Sequence, residues 1–288
     1  MPDTHPRTIV ITGGTGGIGL QSAIGLAKTG ARILITGRNQ ERGNLAAERI
    51  QNETNNPNIV FVQGDVSSMA GVDQLASAIR AETRKIDVLI NNAGYLGSEY
   101  QKNSDGLEMH FAVNVLAPWR LTRELLPELQ LAGQARVLNV TGGDKPAPVD
   151  PDNLQAEKGF KGLMTYTHSK SILESMSMFL AKELEPAGIT VNVVFPGRAS
   201  TQMTRSLSPK SLPGVMKLMY PFFRLFFKED GDKSAAKAAR STIWGATSLE
   251  LEGITGAYFD TNCMSRKLHV SAYNPDVQSQ IRKVLDGE

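Results

Sequence analysis

The chain has little of several features that define other classes of protein. Its 288 residues include a single cysteine, Cys263, and only 6% are aromatic. One thiol excludes an internal disulfide and any metal site built from several cysteines, and it fits a reducing compartment. Lys and Arg number 31 against 29 Asp and Glu, without the positive excess typical of nucleic-acid-binding proteins. We therefore expect no nucleic acid partner and no metal site.

Long apolar runs are also missing at the start of the chain. Only residues 1–7, which are mostly polar, precede the first apolar run. We therefore expect no signal peptide and no membrane-spanning segment before the fold, and we expect the protein to be cytoplasmic. Hydrophobic residues nevertheless make up 41% of the chain, which is enough for a large buried core. No Pro- and Ser-rich linker divides the sequence, so residues 1–288 are predicted to form one domain.

Short apolar runs alternate with segments of helical spacing. This alternation predicts an α/β fold with parallel strands joined by right-handed crossovers, and with ligands at the carboxyl ends of the strands. Helices are predicted over residues 104–130, with a kink at Pro118, and over residues 163–185. The predicted strands are residues 7–12, 31–36, 59–62, 86–90, 135–141, 189–195 and 257–259.

The first predicted strand runs into a turn in which five of seven residues are glycine. Strand, glycine turn and helix form a cradle for a pyrophosphate, because glycine lets the backbone approach the anion and the helix presents free N–H groups. Two registers are open, one using Gly14, Gly16 and Gly19 and the other using Gly13, Gly17 and Gly19. A flexible turn without a ligand is the alternative.

Residues after the next two strands indicate which dinucleotide is bound. The sequence Thr36-Gly37-Arg38-Asn39 lacks a carboxylate for a free ribose 2′-hydroxyl, and Arg38 suits a 2′-phosphate. NADP is therefore favoured over NAD, with a solvated arginine as the alternative. Asp65, after the third strand, can accept a hydrogen bond from the adenine amine or cap the next helix.

Tyr166 and Lys170 are four residues apart in the second predicted helix. At that spacing the two side chains share one helix face, and a nearby cation lowers the pKa of a phenol towards the range of a working proton donor. Taken alone, such a pair is more often the result of chance spacing.

Five motifs in order resemble those of the short-chain dehydrogenase/reductase family. They are Thr12-Gly13-x-x-x-Gly17-x-Gly19, Asn91-Asn92-Ala93-Gly94, Asn114, Tyr166-x-x-x-Lys170 and Pro196-Gly197. The resemblance runs from about residue 8 to the C-terminus and is strongest to the retinol dehydrogenase and protochlorophyllide reductase branch. It implies a single doubly wound, Rossmann-type domain with a mainly parallel seven-stranded sheet flanked by helices, and NADP(H) as cofactor.

The same resemblance implies roles for individual residues. Tyr166 would exchange a proton with the substrate, Lys170 would hold the nicotinamide ribose, and the backbone of Asn114 would hold a water that links Lys170 to solvent. Thr201 would bond the nicotinamide carboxamide. The implied cofactor-binding residues are Gly13, Thr15, Gly17, Ile18, Gly19, Arg38, Asn39, Asp65, Val66, Asn92, Ala93, Gly94, Tyr166, Lys170, Pro196, Gly197 and Thr201.

The sequence departs from this family in two places. A basic residue usual before Gly17 is replaced by Gly16, and the serine that bonds the substrate oxygen is replaced by Gly142. Either Thr141 supplies the hydroxyl through a shifted turn, or the enzyme works without it, or catalysis is lost. One missing hydrogen bond to a developing oxyanion costs about 10²–10³-fold in rate, which a working enzyme can tolerate.

Residues 206–228 form a strongly apolar segment rich in Met and Phe. Such a segment suits a substrate lid over a greasy molecule, an oligomer contact or a peripheral membrane contact. We expect a homo-oligomer, because relatives pair through the helices that hold Asn114 and Tyr166. The predicted function is NADP(H)-dependent oxidation or reduction of a mid-sized apolar or aromatic small molecule, as a ketone or aldehyde reductase or an alcohol dehydrogenase. A cofactor-binding protein without turnover and a dehydratase are the alternatives.

Overall fold

The computed structural model of the chain describes residues 6–142, 147–197, 199 and 231–287. The strands of this described part are β1 (Thr8–Ile11), β2 (Arg32–Gly37), β3 (Ile59–Gln63), β4 (Val88–Asn91), β5 (Arg136–Val140), β6 (Thr190–Val194), β7 (Tyr258–Phe259) and β8 (Ser265–Arg266). These eight strands form one sheet in the order β3-β2-β1-β4-β5-β6-β7-β8. All strand pairs are parallel except β7 with β8.

The predicted doubly wound α/β fold is confirmed, but the predicted number of strands is one too small. The missed strand β8 has two residues, both exposed, so no apolar run marks it. A tight turn creates it: the Asp260 carboxylate accepts hydrogen bonds from the backbone of Asn262 and Met264 and from the side chain of Arg266. Cys263, at φ 62°, completes that turn in the left-handed region.

Helices cover both faces of the sheet. Strands buried on two sides need apolar residues at successive positions, which explains runs such as Thr8–Ile11, where all four residues are buried. The helices of the described residues are α1 (Gly17–Ala27), α2 (Gln40–Thr54), α3 (Met69–Glu82), α4 (Met109–Phe111), α5 (Ala117–Glu124), α6 (Leu126–Gln130), α7 (Gly162–Leu184), α8 (Gly231–Thr247) and α9 (Pro275–Asp286). The core on one face of the sheet includes residues of α1, α2 and α8, and the core on the other face includes residues of α3, α5, α7 and α9.

The single helix predicted over residues 104–130 is wrong. The chain instead forms α4, a π-helical turn at Ala112–Leu116, and then α5 and α6. Asn103 ties residues 103–107 into a turn by accepting from the backbone of Asp105 and Leu107. Pro118 lacks the N–H that an α-helix would direct to the Asn114 carbonyl. The π-helical turn therefore lies just before the predicted kink at Pro118, and it contains the motif residue Asn114.

The C-terminal helix α9 lies on α7 and reaches α5. Its residues Val277, Ile281 and Leu285 are buried in the same core as α7. The Arg282 guanidinium stands 5.4 Å from the Trp119 ring centre on α5 and 4.8 Å from that of Phe179 on α7. This helix therefore covers part of the face through which pairing was expected. No helix in the described part of the chain is long and apolar enough to cross a membrane.

Candidate active site

The glycine turn between β1 and α1 has the geometry of an anion cradle. Gly13 and Gly17 adopt φ values of 66° and 54°, which favour glycine. A Cβ atom on Gly19 would overlap the Gly13 carbonyl oxygen, so the turn can close only around glycine. These are the three positions of the register Gly13, Gly17 and Gly19. Thr15 lies in the same turn, and Ile18 lies in the first turn of α1. Free N–H groups at such a helix start can bind an anion.

Hydrogen bonds tie the end of β4 to this turn. The Thr12 hydroxyl accepts from the backbone N–H groups of Asn92 and Ala93, both at 3.0 Å. The Asn92 amide in turn donates to the carbonyls of Thr12 at 2.8 Å and Gly13 at 3.3 Å. The strand order reverses between β1 and β4, where doubly wound proteins bind dinucleotides. Asn92, Ala93 and Gly94 are thereby placed beside the glycine turn.

Two of the predicted adenosine-binding residues are exposed at the same edge of the sheet. Arg38 follows β2, and Gln63 of β3 donates to its carbonyl at 3.0 Å. Asp65 follows β3 and accepts from the Ser67 backbone at 2.9 Å. Ser68, not Asp65, caps α3, so the alternative role as helix cap is wrong. Val66 is half-buried next to Asp65.

Arg42 is a basic residue at this end of the site that sequence reasoning missed. Asn39 caps α2 by accepting from the Arg42 backbone at 2.8 Å, which places Arg42 in the first turn. A Cβ atom on Gly16 would lie 3.7 Å from the Arg42 guanidinium. Arg42 therefore lies where the usual basic residue of the glycine turn would project. Its spacing of four from Arg38 was the available signal.

Helix α7 carries Tyr166 and Lys170 to the carboxyl edge of the sheet. Lys170 is 3% exposed, and its Nζ donates to the Val140 carbonyl at 3.0 Å. Burial lowers the pKa of Lys170 to about 8, opposed by the negative charge of Glu174. Burial raises the pKa of Tyr166 to about 12. The predicted lowering of the Tyr166 pKa is thus wrong for this arrangement, in which the Lys170 ammonium lies 6.0 Å from the tyrosine ring centre.

Asn114 is fully buried in the π-helical turn. Its amide oxygen accepts from the Tyr95 backbone at 2.8 Å, and its nitrogen donates to the Tyr95 carbonyl at 3.0 Å and the Ser169 hydroxyl at 2.9 Å. Asn114 therefore joins the loop after β4 to α7. π-turns occur frequently at functional sites, and this one sets the carbonyl of Asn114 outside regular α-helical bonding.

Thr141 and Gly142 directly follow β5, beside Tyr166 and Lys170. The Thr141 backbone continues the ladder by donating to the Val194 carbonyl at 3.0 Å, so among the described residues the chain does not turn before Thr141. The Thr141 hydroxyl donates to the Glu174 carboxylate at 2.7 Å, and the residue is 3% exposed. A Cβ atom on Gly142 would overlap the Tyr166 hydroxyl. The predicted hydroxyl of Thr141 is therefore directed into the protein, and Tyr166 fills the space of the missing serine.

Glu174 is the second residue that sequence reasoning missed. It lies four residues after Lys170 and eight after Tyr166, on the same helix face, and it is 5% exposed. Burial raises its pKa to about 7, while the bond from Thr141 and the charge of Lys170 lower it. The signal was a carboxylate at helical spacing among apolar residues.

The last predicted residues lie after β6. Gly197 has φ 84°, and a Cβ atom there would come within 2.7 Å of the Thr261 side chain, so the Pro196-Gly197 turn fits closely at the carboxyl edge. Thr201 and the segment 206–228 lie outside the described residues. Within the described part of the chain, no cluster of three or more His, Cys, Asp or Glu could hold a metal ion.

Comparisons with known proteins agree with this geometry. A family model described as short chain dehydrogenase matches residues 7–212. Retinol dehydrogenase 13 of Mus musculus is 31% identical over 256 residues, covering 88% of this chain and 75% of that protein. Polyprenol dehydrogenase of Homo sapiens is 30% identical over 98% of this chain and 84% of its own length.

Solved structures give the same result. The RhlG active-site complex with NADP from Pseudomonas aeruginosa superposes with a TM-score of 0.65 at 27% identity, covering 89% of this chain and 95% of that one. A short chain dehydrogenase of Shigella flexneri complexed with NADP gives 0.66 at 26% identity, covering 89% and 97%. Both of these structures contain NADP.

Proposed function

Because the chain belongs to the short-chain dehydrogenase family, we propose that it is an NADPH-dependent reductase of apolar aldehydes or ketones. One observation carries the proposal: Tyr166 and Lys170 share one face of α7 at the carboxyl end of β5, which β4 separates from β1 and its glycine turn. The cofactor would supply a hydride from nicotinamide C4 to the carbonyl carbon.

Tyr166 would donate its phenolic proton to the carbonyl oxygen as the hydride arrives. Its pKa of about 12 keeps the phenol protonated at neutral pH, which is the form a proton donor needs. Lys170 would bond the ribose of the nicotinamide and carry positive charge next to the phenolate that forms. The carbonyl of Asn114 would hold the water through which the proton of Tyr166 is replaced.

Preference for NADP(H) over NAD(H) is supported by the charges at the adenosine end. Arg38 is exposed there, Arg42 approaches Gly16, and no carboxylate occupies positions 36–39. Two guanidinium groups suit a 2′-phosphate, which is absent from NAD. We expect Arg38→Ala to weaken NADPH binding by tenfold or more and to leave NADH binding nearly unchanged, as measured by cofactor fluorescence.

The substrate class follows from the relatives and from the apolar sequence at 206–228. Retinol and polyprenol are isoprenoid alcohols, and they name relatives that align with most of this chain. We propose an isoprenoid or similarly extended apolar aldehyde as substrate, with residues 206–228 as the segment that covers it. Association of that segment with a membrane surface stays the alternative.

The test is a direct assay of reduction. Purified protein, NADPH and a panel containing retinal, other terpenoid aldehydes and short hydrophilic aldehydes would be followed at 340 nm. We expect turnover of the apolar members and a fall of about 10²–10⁴-fold in kcat for Tyr166→Phe, because general acid catalysis contributes that much. Full activity of Tyr166→Phe would contradict the mechanism.

A cofactor-binding protein without turnover is the second candidate. The observation in its favour is that the Thr141 hydroxyl donates to Glu174 and that Gly142 contributes no hydroxyl. Tight NADPH binding with no turnover across the panel would support it.

Homo-oligomerisation and a cytoplasmic location stay predictions. Because α9 covers part of the face around α7, pairing there would use the surface that α9 leaves open, which light scattering and interface mutants can check.

A further inference from the structure

Glu174 has no part in the reaction proposed above, although it is a buried carboxylate within one helical turn of Lys170. We propose that Glu174 is a positioning residue of the active site: through Thr141 it holds the end of β5, against which Lys170 and Tyr166 rest. The inference rests on the proposed function and names the group that supports Tyr166 where the usual serine is missing.

The contacts between β5 and α7 form a register that points to this role. The two elements run in opposite directions, so later residues of β5 meet earlier residues of α7. Asn139 and Thr141 alternate onto the same face of the strand, and both direct a polar group into the helix. From the core towards the site, the contacts are Asn139 with Ser177 at 2.8 Å, Thr141 with Glu174 at 2.7 Å, Val140 with Lys170 at 3.0 Å, and Gly142 with Tyr166.

Thr141 is the link in this register. A hydroxyl has one proton, and Thr141 gives it to Glu174, so it does not give it to a substrate oxygen. What Thr141 contributes is the position of its neighbours: the Val140 carbonyl, which accepts from Lys170, and Gly142, which packs against the Tyr166 hydroxyl. Loss of the bond to Glu174 would leave this strand end held by the backbone bond of Thr141 to Val194 but no longer fixed against α7 through Thr141.

Because Glu174 can carry a negative charge, its proposed role predicts an effect on the pH profile that a purely structural contact would not have. The groups facing its carboxylate are Thr141 from β5, Lys170 from its own helix and the Tyr258 phenol from β7, whose pKa is raised by burial and by the charge of Glu174. A negative carboxylate favours the ammonium form of Lys170. Removing that charge while keeping the hydrogen bond separates the two effects.

A double-mutant cycle in the reduction assay tests the link. Thr141→Val and Glu174→Ala should each lower kcat about tenfold, and the double variant should fall no further, because both changes break the same bond. If the effects multiply to about 100-fold, or if Glu174→Ala leaves kcat unchanged while Thr141→Val lowers it, Thr141 acts without Glu174 and the inference is overturned.

Two conservative variants keep the test informative if Glu174→Ala folds poorly. Glu174→Gln retains an acceptor for Thr141, so kcat at pH 7 should stay within about threefold of the parent, and the alkaline limb of the pH profile should move to lower pH. Ser177→Ala removes the neighbouring contact of the same interface and should leave kcat unchanged. An unmoved pH profile, or an equal loss of kcat in Ser177→Ala, would reduce Glu174 to ordinary packing.

Tyr166→Phe in the same assay separates this inference from the proposed function. Loss of activity in Tyr166→Phe together with a multiplicative cycle would overturn only the role of Glu174. Full activity in Tyr166→Phe would overturn the proposed mechanism itself, whatever the cycle shows.

Discussion

The two ends of α7 are built on opposite principles. From Tyr166 to Glu174 it carries ionisable groups whose pKa values are displaced by burial: Tyr166 to about 12, Lys170 to about 8 and Glu174 to about 7. Its last two turns, residues 178–184, pack Phe179 against Trp119 and leave Glu183 on the surface, paired with arginines from α5 and α9. The same helix thus carries ionisable groups with shifted pKa values in one segment and apolar packing contacts in another.

The difference shows where stability and activity are separable. Burying a charge costs free energy, and the segment from Tyr166 to Glu174 bears that cost to place groups at the sheet edge. The last two turns of α7 contribute apolar burial, further along the helix from the candidate site. Substitutions in the segment from Tyr166 to Glu174 should therefore change turnover or its pH dependence, and substitutions around the last two turns should change the free energy of unfolding alone.

The strongest test of this contrast is Ile281→Ala, on α9 in the core that α9 shares with α7. Ile281 is fully buried between α9 and α7, and deleting a buried Ile side chain costs about 2–5 kcal/mol. We expect that loss in urea unfolding, with kcat of the folded protein unchanged. The exposed Gln280→Ala on the same helix is the matched control and should stay within about 0.5 kcal/mol. A parallel loss of kcat would break the comparison.

The second test uses the pH dependence of stability. Glu174 has a pKa of about 7 in the folded protein against 4.5 ordinarily, so the folded state holds a proton that the unfolded state releases between these values. This contribution to stability is present below pH 4.5 and is lost as the pH rises through 7. We expect a loss on the order of 3 kcal/mol across that window. Glu174→Gln should remove this slope, and an unchanged slope would assign it to other groups.

The third test is Gly142→Ala. The added methyl would overlap the Tyr166 hydroxyl and displace the ring, so we expect kcat to fall about tenfold, since small displacements of reacting groups are costly. In the Tyr166→Phe background the hydroxyl is gone, and the same change should lower the melting temperature less than it does in the parent. Equal losses in both backgrounds would mean that the hydroxyl does not occupy this space.

The smallest expected effect is that of Glu183→Gln. Glu183 bonds Arg123 and Arg282 at 2.6 Å, but the three side chains are between 32% and 46% exposed. Exposed pairs contribute about 0–1 kcal/mol and are screened by salt. Urea unfolding should show that Glu183→Gln lowers the free energy of unfolding by less than about 1 kcal/mol in low salt, and by less still in high salt. A loss above 2 kcal/mol would make this end electrostatic rather than apolar.

Sequence patterns predicted the elements that local chemistry determines. The glycine turn, the parallel strands and α7 follow from spacing, and their positions are confirmed to within a few residues. The eighth strand was missed because its two exposed residues carry no apolar pattern. In this region only a kink at Pro118 was predicted, because the π-helical turn at Ala112–Leu116 depends on tertiary bonds such as that of Asn114 to Tyr95.

The predictions about the site failed where they required distances between elements. Strand alternation alone places Thr141 with Asn139, but only the packing of β5 on α7 shows that its hydroxyl meets Glu174. The direction of the Tyr166 pKa was wrong for the same reason. Spacing identifies a nearby cation, whereas the pKa also depends on how deeply the phenol is buried.

The turn at Asp260 has a consequence for how these molecules behave when concentrated. A parallel sheet that ended at β7 would offer unpaired backbone groups to a neighbouring molecule, and edges of that kind seed aggregation. The two residues of β8 pair antiparallel to β7. Arg266 is exposed there and forms an ion pair with Asp260 at 2.8 Å. A short, charged, antiparallel margin is a poor template for another strand. Asp260→Asn should therefore show itself first as turbidity during heating, at temperatures where catalysis is still intact.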